Sequence, residues 1–302
     1  MKYGRPYSIV LPNQKEMKGF CWPLPQPIAN IVIVTGMAEG SYRYDHFAHF
    51  LNENQYGVYC IDHYGQGMNT EKKEDMGIWP KDGFKEAVEM VHAEVLEVRK
   101  LGKPVYLLGH SMGSFVTQEF IELYGNLIDK VVICGSCGKR FATHAGGLVA
   151  NLTCLFYPRD THKAKAMHSL TFGTYNKKIK NPRTPSDWLS HNEESIDAYL
   201  SDFRCNYIPT AGFYKEFMKG LNRIHKRKAV QKVRKDLPIL LIAGEADPVG
   251  LYGKGVRRLY RMYQKIGIQN IQLHLYPDFR HEILNEIGKE KVYDDVLHFF
   301  QK

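Results

Sequence analysis

The chain has 302 residues and an ordinary globular composition, with 44% hydrophobic and 24% charged residues. It is too long for a minimal domain and short for two full ones, so we expect one core with a sizeable insertion. No run of 18 apolar residues occurs, and residues 1–20 lack the apolar centre of a signal peptide. These features argue against a helical membrane span and predict a cytoplasmic protein that is at most peripheral to a membrane.

The formal net charge of +9 leaves two interpretations open. Basic residues could favour contact with an anionic membrane surface, where each contributes roughly 1 kcal/mol, or they could simply solvate the outer helices. The densest basic stretch, residues 225–235, lacks the interleaved aromatic residues of a nucleic-acid groove. We therefore expect no nucleic-acid partner, and the sequence does not indicate an oligomeric state.

Cysteine and histidine spacing predicts neither a disulfide framework nor a metal site. The six cysteines are spread along a chain without a secretory signal, so we expect reduced thiols. Cys134 and Cys137 have C-x-x-C spacing, but no second cysteine or histidine pair completes a zinc site. His46 and His49 have helical spacing without other metal-ligating residues nearby. No metal and no cofactor are expected.

The first part of the chain alternates strands with helices. Apolar runs predict strands, and apolar residues at three- and four-residue spacing predict helices. The predicted strands are 7–11, 16–22, 28–35, 57–62, 104–108 and 130–134, and the predicted helices are 44–54, 82–101 and 114–123. The first two strands, joined by a turn, are expected to pair antiparallel. The remaining alternation predicts a parallel sheet covered on both faces.

The alternation breaks between residues 136 and 236, where no buried-strand pattern occurs. Helical patterns are found there over 145–157, 187–202 and 213–223, and strands resume at 237–243 and 271–276. We therefore predict a core made of residues 1–135 and 237–302, with a helical lid over 136–236. In the first lid helix, Leu148 and Leu152 share one face, which suits either an acyl-chain pocket or packing on the core.

The pentapeptide at 109–113, Gly-His-Ser-Met-Gly, stands between a predicted strand and a predicted helix. A serine on such a sharp turn has its hydroxyl lifted clear of the sheet, and glycines on either side avoid collision with the neighbouring strand or helix. The helix that begins beside Ser111 also points free N–H groups at any anion formed there. The pattern can arise by chance, so its partners decide its meaning.

Two partner residues follow later strands. Asp247 lies in the loop after the strand at 237–243, and His281 follows the strand at 271–276. Because parallel strands end at one edge of a sheet, we expect Ser111, Asp247 and His281 to lie together. This chain order predicts the α/β-hydrolase fold, with a mostly parallel eight-stranded sheet flanked by helices and carrying a helical lid. Glu245 is the alternative acid.

The chain resembles the monoacylglycerol lipase and lysophospholipase branch of the α/β-hydrolases, which is grouped with the serine aminopeptidases. The matching segments recur in order from about residue 30 to residue 290. They are TGMAE at 35–39, YRY at 42–44, DHYGQG at 62–67, GHSMG at 109–113, FGTYN at 172–176, DWLS at 187–190, GEADPV at 244–249 and RHEILNE at 280–286. One departure is Thr35, where the family commonly has histidine.

The resemblance implies an oxyanion hole formed by the backbone N–H groups of Met37 and Met112. Gly36 and Val249, which lie within matching segments, are further candidates for substrate binding, and Leu148 and Leu152 join them if the first lid helix lines an acyl-chain pocket. The implied activity is serine hydrolysis of carboxylic esters of single-acyl-chain lipids, such as a lysophospholipid or a monoacylglycerol, through an acyl-enzyme.

Three alternative functions stay open. One is a serine aminopeptidase of the proline iminopeptidase kind, in which Glu193, Glu194 and Asp197 would hold a substrate ammonium. The others are a carboxylesterase for small esters and a non-catalytic carrier of an acyl ligand.

Overall fold

The computed structural model describes residues 4–140 and 142–302 and contains one eight-stranded sheet. The strands are β1 Arg5–Val10, β2 Glu16–Trp22, β3 Ala29–Val34, β4 Tyr56–Ile61, β5 Val105–His110, β6 Lys130–Cys134, β7 Ile239–Gly244 and β8 Ile271–Tyr276. Their spatial order is β1-β2-β4-β3-β5-β6-β7-β8. The pairs β1–β2 and β2–β4 are antiparallel, and β4–β3, β3–β5, β5–β6, β6–β7 and β7–β8 are parallel. The predicted fold class is confirmed.

The central strands are buried on both faces, which explains their continuous apolar sequences. Every residue of β3, β4, β5 and β7 is buried. In β3, Val32 and Val34 contribute to one hydrophobic cluster, whereas Ile31 and Ile33 contribute to a second. Because successive side chains of a strand point to opposite faces, the sheet separates the core into these two layers.

The described part of the chain contains ten α-helices. They are α1 Asp45–Glu53, α2 Gly83–Arg99, α3 Met112–Tyr124, α4 Ala142–Phe156, α5 Lys165–Phe172, α6 Glu193–Ser201, α7 Ala211–Leu221, α8 Arg227–Val230, α9 Lys254–Lys265 and α10 Glu290–Gln301. None of these helices is long and apolar enough to cross a lipid bilayer. Sequence patterns alone left α5, α8, α9 and α10 unassigned.

The single helix predicted over 187–202 is wrong. A short 3-10 helix covers Asp187–Leu189, and α6 starts only at Glu193. The carboxylate of Asp187 accepts hydrogen bonds from the N–H groups of Arg183 and Thr184, and Asn192 caps α6 by accepting from the Ser195 N–H. The backbone is extended at Ser190, which ends the 3-10 helix, and the Asn192 cap then begins α6.

The segment between β6 and β7 forms no strand in the residues that the structure describes, and its main elements are α4 to α8. Residues 1–3 of the predicted core and residue 141 of the predicted lid lie outside the described residues. Within the segment, α7 packs against α4 and also against α2 of the core. The inserted helices are thus seated directly on the sheet-bearing part of the molecule.

Gly113, in the first turn of α3, supports a stability prediction. A Cβ at this position would collide with the backbone carbonyl oxygen of Val34 and lie 2.6 Å from that of Thr35. Since these atoms belong to β3 and the residue after it, Gly113→Ala is expected to destabilise the protein by about 1–3 kcal/mol. Thermal unfolding measures this as a lower Tm.

Gly125→Ala, at the other end of the same helix, is the matched control. Its backbone φ of −60° suits alanine, and no neighbouring atom lies closer than 3.9 Å to the added Cβ. We expect its Tm to equal or exceed the parent value. Equal losses in the two variants would contradict the packing argument.

Candidate active site

The turn between β5 and α3 consists of Ser111 alone. Its φ of 52° and ψ of −118° are rarely adopted by residues other than glycine. The Ser111 N–H donates to the carbonyl oxygen of Cys134 at 3.0 Å, which ties the turn to the end of β6. A Cβ at Gly109 would collide with α3, so a glycine is needed where strand and helix approach closely. The serine side chain is thereby lifted to the carboxyl edge of the sheet.

Ser111, His281 and Asp247 form one hydrogen-bonded chain. The distance from Ser111 Oγ to His281 Nε2 is 2.8 Å, and that from His281 Nδ1 to Asp247 Oδ2 is 3.0 Å. The Val249 N–H donates to the other oxygen of Asp247 at 2.7 Å. Asp247 is fully buried and His281 nearly so. The structure therefore brings the three predicted residues together.

Burial and a neighbouring carboxylate shift the pKa of His281 in opposite directions. Burial by itself would lower the pKa of His281, but the Asp247 carboxylate outweighs it and raises that pKa above its usual value. The ring of His110 lies 4.9 Å from the ring of His281. Burial, followed by the charge of His281, lowers the pKa of His110 to about 3. His110 is therefore neutral at physiological pH and acts as a packing neighbour.

The two residues predicted to donate backbone N–H groups both line the cavity beside Ser111. Met37 lies in the loop after β3, and Met112 is the first residue of α3. Among the described residues, neither N–H donates to an acceptor within the protein. Both groups are thus available to an acceptor outside the protein, as a binding site for a developing oxyanion requires.

The serine opens on a cavity of about 660 Å³ that lies between the core and the inserted segment. Apolar side chains from both parts line most of it. They are Met37, Met112, Phe115, Val149, Met167, Leu170, Phe172, Trp188, Leu189, Phe217, Met218, Leu221 and Val249. A cavity of this size and lining suits a ligand with an extended apolar part.

The predicted substrate-binding residues divide into two groups. Gly36 and Val249 line the cavity, whereas Leu148 and Leu152 are not among its lining residues and are 62% and 46% exposed. The face of α4 that borders the cavity carries Gly146 and Val149 instead. The structure does not bring Leu148 and Leu152 to the cavity, because α4 packs against α7 with Gly146 facing Met218 and leaves both leucines exposed.

A buried charge cluster adjoins His281, and the sequence analysis assigned it no role. Arg43 donates to both carboxylate oxygens of Glu282 at 2.7 Å and to Glu39 at 3.0 Å. Burial would raise the pKa of Glu282, but Arg43 outweighs it and holds that pKa at about 2. Since Glu282 directly follows His281, this ion pair fixes the segment that carries the histidine.

The carboxylates considered for other roles lie away from the serine. Glu193, Glu194 and Asp197 are exposed on α6, and Asp197 pairs with Arg183 at 2.7 Å. Glu245 pairs with Arg257 at 2.8 Å. None of these four carboxylates lines the cavity as the structure describes it.

The cysteines and histidines form no further site in the described residues. All six cysteines are free thiols, including Cys134 and Cys137. Nowhere in the described ranges does a group of three or more histidine, cysteine or acidic side chains lie close enough to hold a metal ion.

Comparisons with known proteins agree with this architecture. Residues 25–288 match the family described as serine aminopeptidase, S33. The phospholipase YtpA of Bacillus subtilis is 24% identical over 92% of this chain and 97% of its own length. The monoglyceride lipase of Rattus norvegicus is 25% identical over 92% of this chain and 84% of its own length.

Solved structures show the same fold over nearly the whole chain. A highly thermostable carboxyl esterase from Bacillus coagulans, determined in complex with glycerol, has a TM-score of 0.89 and 25% identity, covering 98% of this chain and 97% of its own. A monoglyceride lipase from Saccharomyces cerevisiae has a TM-score of 0.76 at 18% identity, covering 99% and 94%. Because the family match spans most of its length, this chain belongs to the serine aminopeptidase S33 family, as an α/β-hydrolase of the monoglyceride lipase type.

Proposed function

We propose that this protein is a serine hydrolase that cleaves carboxylic esters of single-acyl-chain lipids through an acyl-enzyme. The observation that carries the proposal is the chain of hydrogen bonds from Asp247 through His281 to Ser111, opening on a largely apolar cavity. The similar lipases and esterases support the coarser statement, that it is a carboxylic ester hydrolase of the monoglyceride lipase type.

In the first half-reaction, Ser111 Oγ attacks the ester carbonyl while His281 Nε2 takes its proton. The Asp247 carboxylate accepts a hydrogen bond from His281 Nδ1–H and stabilises the imidazolium. The N–H groups of Met37 and Met112 donate to the oxyanion, and the loss of one such donor costs roughly 3–4 kcal/mol. The intermediate collapses when His281 returns the proton to the leaving alcohol, which departs and leaves the acyl group on Ser111.

The second half-reaction repeats these roles with water. His281 takes a proton from a water molecule as its oxygen attacks the acyl carbonyl, and the proton then returns to Ser111 Oγ. The carboxylic acid is released and the enzyme is regenerated. No metal or cofactor takes part in this sequence.

The substrate class follows from the lining of the cavity. We propose that residues 136–236 act as a lid, since α4, α5 and α7 supply much of the apolar lining. Burying an alkyl chain there gains about 0.8 kcal/mol per CH₂ group. Peripheral contact with an anionic membrane stays part of the proposal, supported by the net charge of +9 and by the exposed Leu155 and Phe156 of α4.

The charges at the cavity favour an ester over an aminopeptide. An aminopeptidase needs an unpaired carboxylate to hold the substrate ammonium. The carboxylates that line this cavity, Glu39 and Glu282, are already paired with Arg43. A carboxylesterase for small esters stays as the alternative, and it differs in its preferred chain length.

Ser111→Ala is expected to lower kcat for a nitrophenyl acyl ester by about 10⁶-fold, because it removes the hydroxyl that is hydrogen-bonded to His281 Nε2. A fluorophosphonate should label the parent enzyme at Ser111 and leave this variant unlabelled. Ser201→Ala, an exposed serine whose hydroxyl bonds only within α6, is the control and should match the parent. Unchanged turnover in Ser111→Ala would exclude Ser111 as the nucleophile, and a parent protein that shows neither labelling nor turnover would indicate a non-catalytic carrier.

The chain-length preference of nitrophenyl esters tests the substrate class. Each added CH₂ is expected to raise kcat/KM by up to about fourfold until the cavity is filled. Val149→Trp, at the lining, should shorten the preferred chain, whereas Leu148→Trp, on the exposed side of α4, should not. An optimum at acetyl esters would favour the small-ester alternative. If both variants shortened the preferred acyl chain equally, Leu148 would also have to contact the substrate. Parallel assays with anionic vesicles test the membrane contact.

The pH profile tests the role of Asp247. His281 must be neutral to accept the serine proton, so kcat/KM should fall on the acid side with a midpoint above the usual pKa of a histidine, because Asp247 raises the pKa of His281. Asp247→Asn is expected to lower kcat by about 10⁴-fold and to move this midpoint to lower pH, since the carboxylate that raises the pKa is gone. Asp278→Asn, at an exposed carboxylate three residues before His281, serves as the control. A midpoint that stays in place in Asp247→Asn would contradict the assignment.

A further inference from the structure

The side chain of Gln66 is fully buried beneath the loop that follows β3. Its Nε2 lies 2.9 Å from the carbonyl oxygen of Gly36, 3.1 Å from that of Glu39 and 3.0 Å from Thr35 Oγ1. Carbonyl oxygens can only accept hydrogen bonds, so Nε2 must face this loop. One amide thus contacts three points of the short segment that contains Met37.

Peptide geometry links this contact to the predicted oxyanion hole. The carbonyl of Gly36 and the N–H of Met37 belong to one trans peptide group, so they point in opposite directions. A donor that holds the carbonyl on one side therefore fixes the N–H on the other. This peptide lies close to the nucleophile, because a Cβ at Gly36 would be 3.2 Å from Ser111 Cβ.

We propose that Gln66 is a positioning residue that orients the Met37 N–H toward the oxyanion. The proposal rests on the proposed function of that N–H. If the Gly36 carbonyl lost its donor, the peptide could rotate and present an acceptor where a donor is needed. The loop requires such support, since Ala38 holds a left-handed φ of 57°, a conformation that persists only when its surroundings impose it.

The inserted segment holds Gln66 from the opposite side. The hydroxyl of Tyr207 donates to Gln66 Oε1 at 3.2 Å, and the Asn206 N–H donates to the carbonyl oxygen of Ala38 at 3.3 Å. Tyr207 also packs with Ala38 and Met76 in a small buried cluster. The lid therefore braces both the amide and the loop that the amide orients.

Gln66→Met tests the proposal, because methionine has nearly the same length and no donor. We expect kcat to fall by about 10²–10³-fold, the effect of losing one oxyanion donor, with little change in KM. The affinity for an alkylboronic acid, which forms a tetrahedral adduct with the serine, should fall by the same factor as kcat/KM. The acid limb of the pH profile should stay in place, since Asp247 and His281 are untouched.

Asn69→Leu is the matched control in the same turn. The Asn69 side chain donates to the Lys18 carbonyl oxygen at 3.1 Å and has no hydrogen bond to residues 35–39. The Asn69→Leu substitution should lower Tm and leave kcat of the folded enzyme unchanged. An equal loss of kcat in Asn69→Leu and Gln66→Met would show that the turn is merely structural and would overturn the proposal.

Tyr207→Phe provides a second variant that keeps the packing volume and the Gln66 donor. We expect a smaller loss of kcat, again with parallel loss of boronic acid affinity and little change in KM. The proposal is overturned if Gln66→Met retains the kcat and the boronic acid affinity of the parent enzyme. If Gln66→Met does not fold, parent values of both quantities in Tyr207→Phe would overturn the proposal instead. Failure of the proposed function is a separate result, namely turnover that survives Ser111→Ala.

Discussion

The hydrogen bond between Asp247 and His281 is the interaction on which the proposed chemistry of this cavity depends. A histidine buried as deeply as His281 would otherwise have a lowered pKa, and its imidazolium would be a costly species. The buried carboxylate reverses that tendency and leaves Nδ1 engaged, so that Nε2 faces Ser111 at 2.8 Å. The proposed nucleophilic role of Ser111 rests on this neighbour, because a serine without an adjacent base is an ordinary alcohol.

The turn at Ser111 and the loop after β3 place polar groups around this pair, and both hold strained backbone. Ser111 and Ala38 have positive φ values, which surrounding contacts must sustain. At Ser111 these contacts are made where β3, β5 and α3 meet, because glycines there let the backbones approach closely. At Ala38 they come from the Gln66 amide and from the inserted segment. The two predicted oxyanion donors thus depend on different supports, one within the core and one shared with the lid.

The inserted segment, residues 136–236, contributes three features to the structure. Its apolar residues, such as Met167 and Met218, line the cavity, while Tyr207 reaches the loop beneath. The surface of α4 away from the cavity retains exposed apolar side chains, including Leu155 and Phe156. The same segment thus lines the cavity, exposes apolar side chains and contacts the loop after β3.

The sequence by itself determined the strand order along the chain, the sharp turn at Ser111 and the positions of Asp247 and His281 after later strands, because local periodicity and turn residues encode these features. It also indicated the Met37 loop through resemblance. Only the tertiary structure decided that Val149 rather than Leu148 borders the cavity, and that Arg43 joins Glu39 and Glu282 beside the histidine. The reason is physical: a helix pattern shows which residues share a face but not which face meets the core, and contacts between residues more than 200 positions apart leave no local pattern in a single sequence.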